Sequence, residues 1–385
     1  MMLFCAYMAF VYVPWDFFAK PAAHDAEVWF GIMLTGGWAK LTEPLHWLVY
    51  AAGAYGFRRM RGWMWPWASL YTVQIALGMW VWSGIYASSG AVSGWILGLI
   101  PGLLFLVPSV ALWRARPLFQ ERPTLRQRYA GWALVTGASA GLGAEFARQL
   151  ARDGVPCVLT ARREDRLRDL AEELERDHGV ETRVVAADLA QPDGADTVAN
   201  AVADLDVAIL VNNAGFGYQG RFDKQETARL RDMVTLNCAT PVVLTSRLMG
   251  RMKERGSGAV VITGSVSGRQ PLPLHAVYGA TKAFDQLFGE ALANELRADG
   301  IDVLVLEPGS TQSEFQHVSG ALPHHGVPAD PVVADALDAL GWQASVISGW
   351  WNWIRANTAM RLLPRGVAAH LGRSIMASQT PEDMR

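Results

Sequence analysis

Between Gly62 and Trp113 the chain contains no charged residue and no histidine. That run is long enough for two crossings of a hydrocarbon core, each of which needs roughly 20 residues. It marks a sharp division of the chain. Up to Trp113 there are 9 residues of Asp, Glu, Lys and Arg, against 61 from Arg114 onward, and 11 of the 16 tryptophans lie in the first part. The sequence therefore predicts an all-α transmembrane domain over residues 1–113. Two spans are expected at Trp63–Ala87 and Ala91–Trp113, joined by the polar turn Ser88-Ser89-Gly90. Two shorter ones at Met1–Phe18 and Pro44–Phe57 make about four, with Ala19–Glu43 at the interface. Trp63, Trp65, Trp67, Trp80, Trp82 and Trp113 cluster near span ends, where amphipathic rings meet headgroups.

Basic residues set the expected orientation. Arg58, Arg59 and Arg61 precede the third span, and Arg114, Arg116, Arg122, Arg126 and Arg128 follow the fourth. Both clusters belong on the cytoplasmic side of a bacterial-type inner membrane or its equivalent, together with both termini. Met1–Phe18 lacks a basic n-region and a small-x-small cleavage site, so it reads as a span rather than a signal peptide. Asp16 and His46 are expected at span ends, within reach of water or headgroups. Residues 114–130, basic and broken by Pro117 and Pro123, read as a linker suited to an anionic leaflet. A net charge of −2 and the lack of a basic stripe with interleaved aromatics exclude nucleic acid as a partner. Cys5, Cys157 and Cys238 are far apart and odd in number, which suggests buried thiols in a reducing compartment rather than disulfides or zinc ligands.

From Gly131 the pattern changes to short β-rich runs alternating with amphipathic stretches. Strands are expected at Ala133–Thr136, Cys157–Thr160, Arg183–Ala187, Val207–Val211, Ala259–Thr263 and Val303–Glu307, and helices notably at Ala144–Arg152, Glu164–His178 and Val277–Ala298. The alternation predicts an α/β fold, a Rossmann-like doubly wound parallel sheet, with a catalytic domain over 131–330 and a C-terminal helical region over 331–385. In such sheets ligands bind beyond the carboxyl ends of the strands. The first strand runs into Thr136-Gly137-Ala138-Ser139-Ala140-Gly141-Leu142-Gly143 and then a helix. Glycines there permit a tight turn and close approach of backbone amides to a pyrophosphate, which the helix N-terminus also attracts. At the end of the second strand, where an NAD site usually places an acid on the ribose, the chain has Ala161, Arg162 and Arg163. Arginines without an acid suit the 2′-phosphate of NADP, so NADPH/NADP+ is the expected cofactor.

Tyr278 and Lys282 are four apart, on one face of a helix. An ammonium beside a phenol favours the phenolate and lowers its pKa toward a range useful for proton transfer. As hydride reaches a carbonyl carbon, Tyr278 would donate a proton to the oxygen while Ser265 holds that oxygen by a hydrogen bond. These residues, taken together, resemble the short-chain dehydrogenases/reductases of the TGxxxGxG subgroup, over Gly131 to about Phe315. In that resemblance Thr136–Gly143 is the cofactor loop, and Asp188-Leu189 the pair whose acid meets the adenine. Asn212-Asn213-Ala214-Gly215 is the motif beside the cofactor, and Tyr278-Gly279-Ala280-Thr281-Lys282 is YxxxK, thirteen residues after Ser265. It further implies that Asn237 holds a water feeding protons to Lys282, that Lys282 binds the nicotinamide ribose, and that Pro308-Gly309 meets the nicotinamide end. The usual Pro-Gly-x-Val-x-Thr reads Pro-Gly-Ser-Thr-Gln-Ser here, with Thr311 and Ser313 keeping hydroxyls.

On the substrate side, Thr311–Asp330 is expected as a covering loop, with Phe216, Tyr218, Leu272, Leu274 and Val277 as apolar walls. His317, His324 and His325 lack acidic or cysteine partners at metal-ligand spacing, so no metal is expected; His275 stands near the substrate or in a plain wall. Gly349–Leu363, rich in tryptophan, reads either as a membrane-interface helix or as a cover over the pocket. Both point to a lipophilic substrate, with a 3-oxoacyl, sphingoid-base or steroid-like ketone as the class reduced by similar members of the family. Competing readings are an NADP-dependent alcohol oxidation and a membrane-bound NADPH sensor or scaffold; the intact Ser265, Tyr278 and Lys282 oppose the second. The resemblance also leaves open a homodimer paired through the helix of Tyr278 and the one before it.

Overall fold

The computed structural model describes residues 2–21, 26–29, 32–59, 64–86, 92–115 and 123–385, and divides into two units, Met1–Arg122 and Pro123–Arg385. The first unit is mostly helical. A run over Met2–Ala19, with a π turn at Met8–Tyr12, precedes an antiparallel hairpin of Ala26–Trp29 with Ile32–Thr35. Three helices of 23 residues follow, at Gly37–Arg59, Met64–Tyr86 and Val92–Arg114. At 1.5 Å per residue the first and third are about 34 Å long, and the second, helical from Pro66 because Trp65 is extended, about 32 Å. The short span expected at Pro44–Phe57 therefore begins earlier, because Pro44 is accommodated inside the helix. The last two helices are tied by hydroxyls: Ser69 donates to the Ser109 carbonyl, Ser109 back to the Ser69 carbonyl, and Thr72 to Ser109 Oγ, each at 2.8 Å.

Two expectations change here. Asp16 is not in reach of water but buried and paired with Lys20 at 3.1 Å, as a carboxylate removed from solvent requires; His46 stacks on Trp29 with ring centroids 4.0 Å apart. Among the described residues one stretch, Met2–Ala19, is long and apolar enough to cross a membrane, with mean hydropathy 1.5. Tryptophans, tyrosines and Gln74 hold the mean down in Met64–Tyr86. Hydropathy alone thus does not carry four spans. The expected turn Ser88–Gly90, together with Arg61, Trp63, Arg116, Pro117 and Arg122, lies outside the described residues.

The second unit is built on a seven-stranded, all-parallel sheet. Its strands are β1 (Trp132–Thr136), β2 (Cys157–Ala161), β3 (Thr182–Ala186), β4 (Val207–Asn212), β5 (Gly258–Thr263), β6 (Ile301–Glu307) and β7 (Ser345–Ile347), in the order β3-β2-β1-β4-β5-β6-β7. Its helices are α1 (Leu125–Tyr129), α2 (Gly141–Arg152), α3 (Glu164–His178), α4 (Gly194–Ala201), α5 (Thr227–Val234), α6 (Thr240–Arg255), α7 (Ala276–Glu295), α8 (Phe315–Ser319), α9 (Ala329–Ala339), α10 (Trp350–Leu362) and α11 (Arg365–Gln379). The near-continuous apolar runs of the central strands follow from burial on both faces. Val135, Leu159 and Val261 pack with Phe146 and Leu150 of α2 and Val333 of α9 on one side. Leu134, Val158 and Val260 pack with Val198 of α4 and Leu244 of α6 on the other. The chain order reverses between β1 and β4, which opens the crevice that such sheets use for ligands.

The boundaries differ from those expected at both ends of this unit. The expected linker, 114–130, ends in α1, whose Thr124 and Gln127 form a capping box. Arg128 bonds Asp302 at 2.8 Å and the Leu340 carbonyl at 2.9 Å, and the buried Tyr129 hydroxyl reaches Asp302 at 2.9 Å. These polar ties make α1 part of the folded unit. Nor is 331–385 a separate helical region: α9 buries Val332, Val333 and Ala336 in the core, and β7 pairs with β6.

Candidate active site

The loop after β1 fits a dinucleotide because of what its glycines leave out. Gly137 and Gly141 have φ of +68° and +57°, and a Cβ on Gly143 would lie 2.2 Å from the Gly137 carbonyl oxygen. Only hydrogen at that position lets the first turn of α2 close over the loop. Thr136, at the end of β1, anchors the loop opposite: its Oγ1 accepts from the amides of Asn213 and Ala214, both at 2.9 Å. Asn213 Nδ2 donates to the Thr136 carbonyl at 3.0 Å, and Thr263 donates to Asn213 Oδ1 at 3.3 Å. Asn213 thus knits β1, β4 and β5 together where the chain order reverses.

A cavity of about 660 Å³ runs along this edge. Its cofactor end contains Gly137, Ser139, Gly141, Leu142, Arg162, Arg163, Asp188, Leu189, Asn213, Ala214, Gly215, Pro308, Gly309 and Thr311, the positions expected from the sequence. Gly143 lies beneath the loop and shapes it without lining the cavity. Arg163 donates to Ser139 Oγ at 3.0 Å and pairs with Glu314 at 2.6 Å, while Arg166 pairs with the other oxygen of Glu314 at 2.5 Å. Arg162, Arg163 and Ser139 line this end of the cleft together with Glu314, and their guanidinium and hydroxyl donors suit a phosphate.

Ser265, Tyr278 and Lys282 meet at the other end. Ser265 follows β5 and caps the turn Val266–Arg269; its Oγ accepts from the Ser267 amide at 3.1 Å, which leaves its proton to donate. Tyr278 and Lys282 lie one turn apart in α7 and both are buried, with Nζ 5.9 Å from the phenol ring centroid. Lys282 donates to the Thr263 carbonyl at 2.7 Å and to Asp285 Oδ2 at 3.0 Å. The expectation that Lys282 lowers the tyrosine pKa is met by a larger opposing effect. Burial raises the phenol, Lys282 and the Ser265 hydrogen bond pull it down, and it stands above its ordinary value. Burial works against the lysine's charge, yet Asp285 and Tyr278 hold its pKa above the ordinary value. His275 stacks on Tyr278 with centroids 4.4 Å apart, and burial pushes its pKa down to about 4, so the ring is neutral.

Asn237 is fixed as a structural residue of the site. Its Nδ2 donates to the Phe216 carbonyl and to Thr281 Oγ1, both at 3.0 Å, and its Oδ1 accepts from the Phe216 amide at 3.2 Å. Both amide protons hold the loop after β4 against α7. Of the expected walls, Phe216 and Leu272 line the cavity; Tyr218, Leu274 and Val277 do not, and Arg229 packs over the Tyr218 ring at 4.5 Å. Among the described residues no group of His, Cys, Asp and Glu could hold a metal, and His324 merely lines the rim. Cys157 and Cys238 are pushed up to about 12 and about 11 by burial, as inert thiols are.

Several contributors were not read from the sequence. Asp285, Phe315, Gln219 and Glu314 surround the site, and Leu371, Ile375 and Met376 of α11 close its apolar end. Only Asp285 had a signal, its i,i+3 spacing from Lys282. For α10, the reading as a cover over the pocket is met: Asn352, Arg355 and Ala356 line the cavity, whereas Trp350, Trp351 and Trp353 are exposed.

The short chain dehydrogenase family model matches residues 131–321. A very-long-chain 3-oxoacyl-CoA reductase of Pyricularia oryzae is 37% identical over 240 residues, 57% of this chain and 71% of that protein. A 7beta-hydroxysteroid dehydrogenase of Clostridium sardiniense is 32% identical over 236 residues, 59% of this chain and 88% of that protein. Among solved structures, one from a study of 7beta-hydroxysteroid dehydrogenase stereoselectivity aligns with TM-score 0.61 at 29% identity, over 65% of this chain and 99% of that one. A short-chain dehydrogenase from Sphingobium yanoikuyae in complex with NADPH aligns with TM-score 0.54 at 30% identity, over 66% of this chain and 97% of that one. The chain belongs to the short-chain dehydrogenase family. It is an NAD(P)-dependent oxidoreductase acting on CH–OH and C=O groups.

The cradle yields a direct expectation. Gly143→Ala places a methyl group against the Gly137 carbonyl and should weaken NADPH binding about 10–100-fold, as overpacking of this kind does. Fluorescence titration of the purified chain checks it. An unchanged Kd would mean that this loop does not form the dinucleotide site.

Proposed function

We propose that this chain is a membrane-anchored, NADPH-dependent reductase of a carbonyl group on a lipophilic substrate. The observation that carries the reading is the convergence of Ser265, Tyr278 and Lys282 at the junction of the glycine cradle and an apolar cavity. The Gly137–Gly143 loop and the start of α2 would hold the pyrophosphate, Asp188 and Leu189 the adenine end, and Lys282 the nicotinamide ribose. The bound dinucleotide supplies a hydride to the carbonyl carbon. Tyr278, protonated by virtue of its burial, gives its proton to the carbonyl oxygen. Ser265 holds that oxygen with its free hydroxyl proton, and neutral His275 keeps the phenol ring in place by stacking.

The preference for NADPH is supported by Arg163 over Ser139 and by the lack of an acid at Ala161-Arg162-Arg163. A lipophilic substrate is supported by the α11 walls and by the relatives named for 3-oxoacyl-CoA and hydroxysteroid substrates. Anchoring through about four spans is supported by three helices each about 32–34 Å long, by the uncharged run 62–113, and by exposed Leu3, Phe10, Leu48, Leu104 and Val107. The basic residues flanking those helices favour a cytoplasmic catalytic unit. Exposed Phe284 and Leu287 on α7, with Val242 on α6, offer a face for a second copy.

Tyr278→Phe should lower the rate of ketone reduction by about 10²–10⁴-fold while NADPH still binds. Turnover at the wild-type rate, followed by NADPH oxidation, would remove Tyr278 from the mechanism. Arg163→Ala should weaken NADPH about tenfold or more and leave NADH almost untouched, since only the former loses charge-assisted hydrogen bonds. Equal losses in the two titrations would refute the phosphate assignment.

A further inference from the structure

Behind the Tyr278–Lys282 pair lies a carboxylate that the proposed reaction does not use. Asp285, three residues further along α7, is 1% exposed. Its Oδ2 accepts from Lys282 Nζ at 3.0 Å, and its Oδ1 is buried with no hydrogen-bond partner among the described residues. A buried ion pair is a poor source of stability, because an apolar side chain of similar size generally serves the fold as well. The half-satisfied carboxylate therefore points to the one group it touches. We propose that Asp285 is a positioning residue that neutralises the Lys282 ammonium, keeps the proton on Tyr278, and so sets the pH range over which the site reduces a ketone.

The inference rests on Tyr278 being the proton donor. A lone ammonium would draw the phenol toward its anion, and a carboxylate on that ammonium cancels much of the pull. With Tyr278 and Lys282 protonated and Asp285 ionised the Tyr278–Lys282–Asp285 cluster is neutral, whereas without the carboxylate it carries +1. A proton leaves a neutral cluster less readily than a positive one, whichever member releases it. Reduction consumes the protonated phenol and oxidation begins from the phenolate, so Asp285 extends the pH range of the first and delays the second. The directions agree: burial, then Asp285, raise the phenol, against Lys282 and Ser265.

The other groups around the cluster leave this role to Asp285. From the turn Thr235–Ala239 comes Cys238, a thiol kept neutral by burial. From the turn Val266–Arg269 come Ser265 and Arg269, the latter closed in a bidentate pair with Glu307 of β6. Asp302 of β6 is held by Arg128 and Tyr129, Arg229 of α5 donates to the Val318 carbonyl, and His275 is neutral.

The test is the pH profile of kcat/KM for ketone reduction by the full chain in detergent, for wild type, Asp285→Asn and Asp285→Glu. In Asp285→Asn the pH above which reduction falls should move down by about one unit or more, as expected when a charge within hydrogen-bond reach is removed. Asp285→Glu should return it toward the wild-type position. The tyrosinate absorbance of Asp285→Asn, less that of the Asp285→Asn/Tyr278→Phe double variant, should appear at the same lowered pH. An unmoved profile with only a lower rate would overturn the proposal and leave Asp285 a structural residue. If the asparagine variant does not fold, Asp285→Ser carries the same expectation and the same refutation. Failure of the Tyr278 assignment reads differently, as turnover surviving in Tyr278→Phe whatever the Asp285 variants do.

Discussion

The catalytic unit depends on keeping the Lys282 ammonium out of water. A charge at that depth persists only if acceptors are placed around it. The Thr263 carbonyl is available because β5 ends there, and Asp285 is available because α7 turns it to the same side as Lys282. A Cβ on Gly215 would press on Asn237 Oδ1 at 3.0 Å. Asn237 in turn holds Phe216, and so the loop after β4, against α7. With the lysine fixed, Tyr278 one turn earlier faces the cavity beside Ser265. Lys282 and Asn237 together thus tie the end of β5 and the loop after β4 to α7.

A parallel sheet supplies the frame for this arrangement. Its strands all end on one edge, so the glycine loop, the Asn212–Gly215 segment, Ser265 and Pro308-Gly309 reach the cavity although more than 170 residues separate the first from the last. The hydrogen bonds among Thr136, Asn213 and Thr263 lock three strand ends where the chain order reverses. The far wall comes from α8, α10 and α11, with Phe315, Val318, Leu371, Ile375 and Met376 as its apolar part.

What could be read from the sequence was whatever short-range spacing or backbone geometry dictates. Tyr278 and Lys282 share a face because they are four apart in a helix, and Gly137 and Gly141 announce the left-handed turns that only glycine adopts easily. All six expected strands are present, because a strand buried on both faces is uninterruptedly apolar. Features set by tertiary contact were not readable. The pairing of Arg163 with Glu314 crosses 151 residues, and the three-residue β7 has no pattern of its own. Asp285 had the right spacing, but an exposed ion pair has the same spacing; burial alone gives it meaning. Asn237 was legible as a site residue, while its commitment to Phe216 and Thr281 was not. In the first unit, length and lack of charge were plain, yet tryptophans and tyrosines that suit a membrane interface lower the mean hydropathy.

In the proposed reaction this site moves a hydride between a nicotinamide and a carbonyl carbon while Tyr278 handles the proton, and isotopic labelling reads that transfer itself. NADPH deuterated at C4 on one face or the other is turned over with a lipophilic ketone by the full chain, and the alcohol is analysed by mass spectrometry. Deuterium is expected on the carbinol carbon from one of the two labelled cofactors only, with none acquired there from deuterated water. Alcohol formed without cofactor deuterium, or labelled at that carbon from solvent, would rule out hydride transfer at this site.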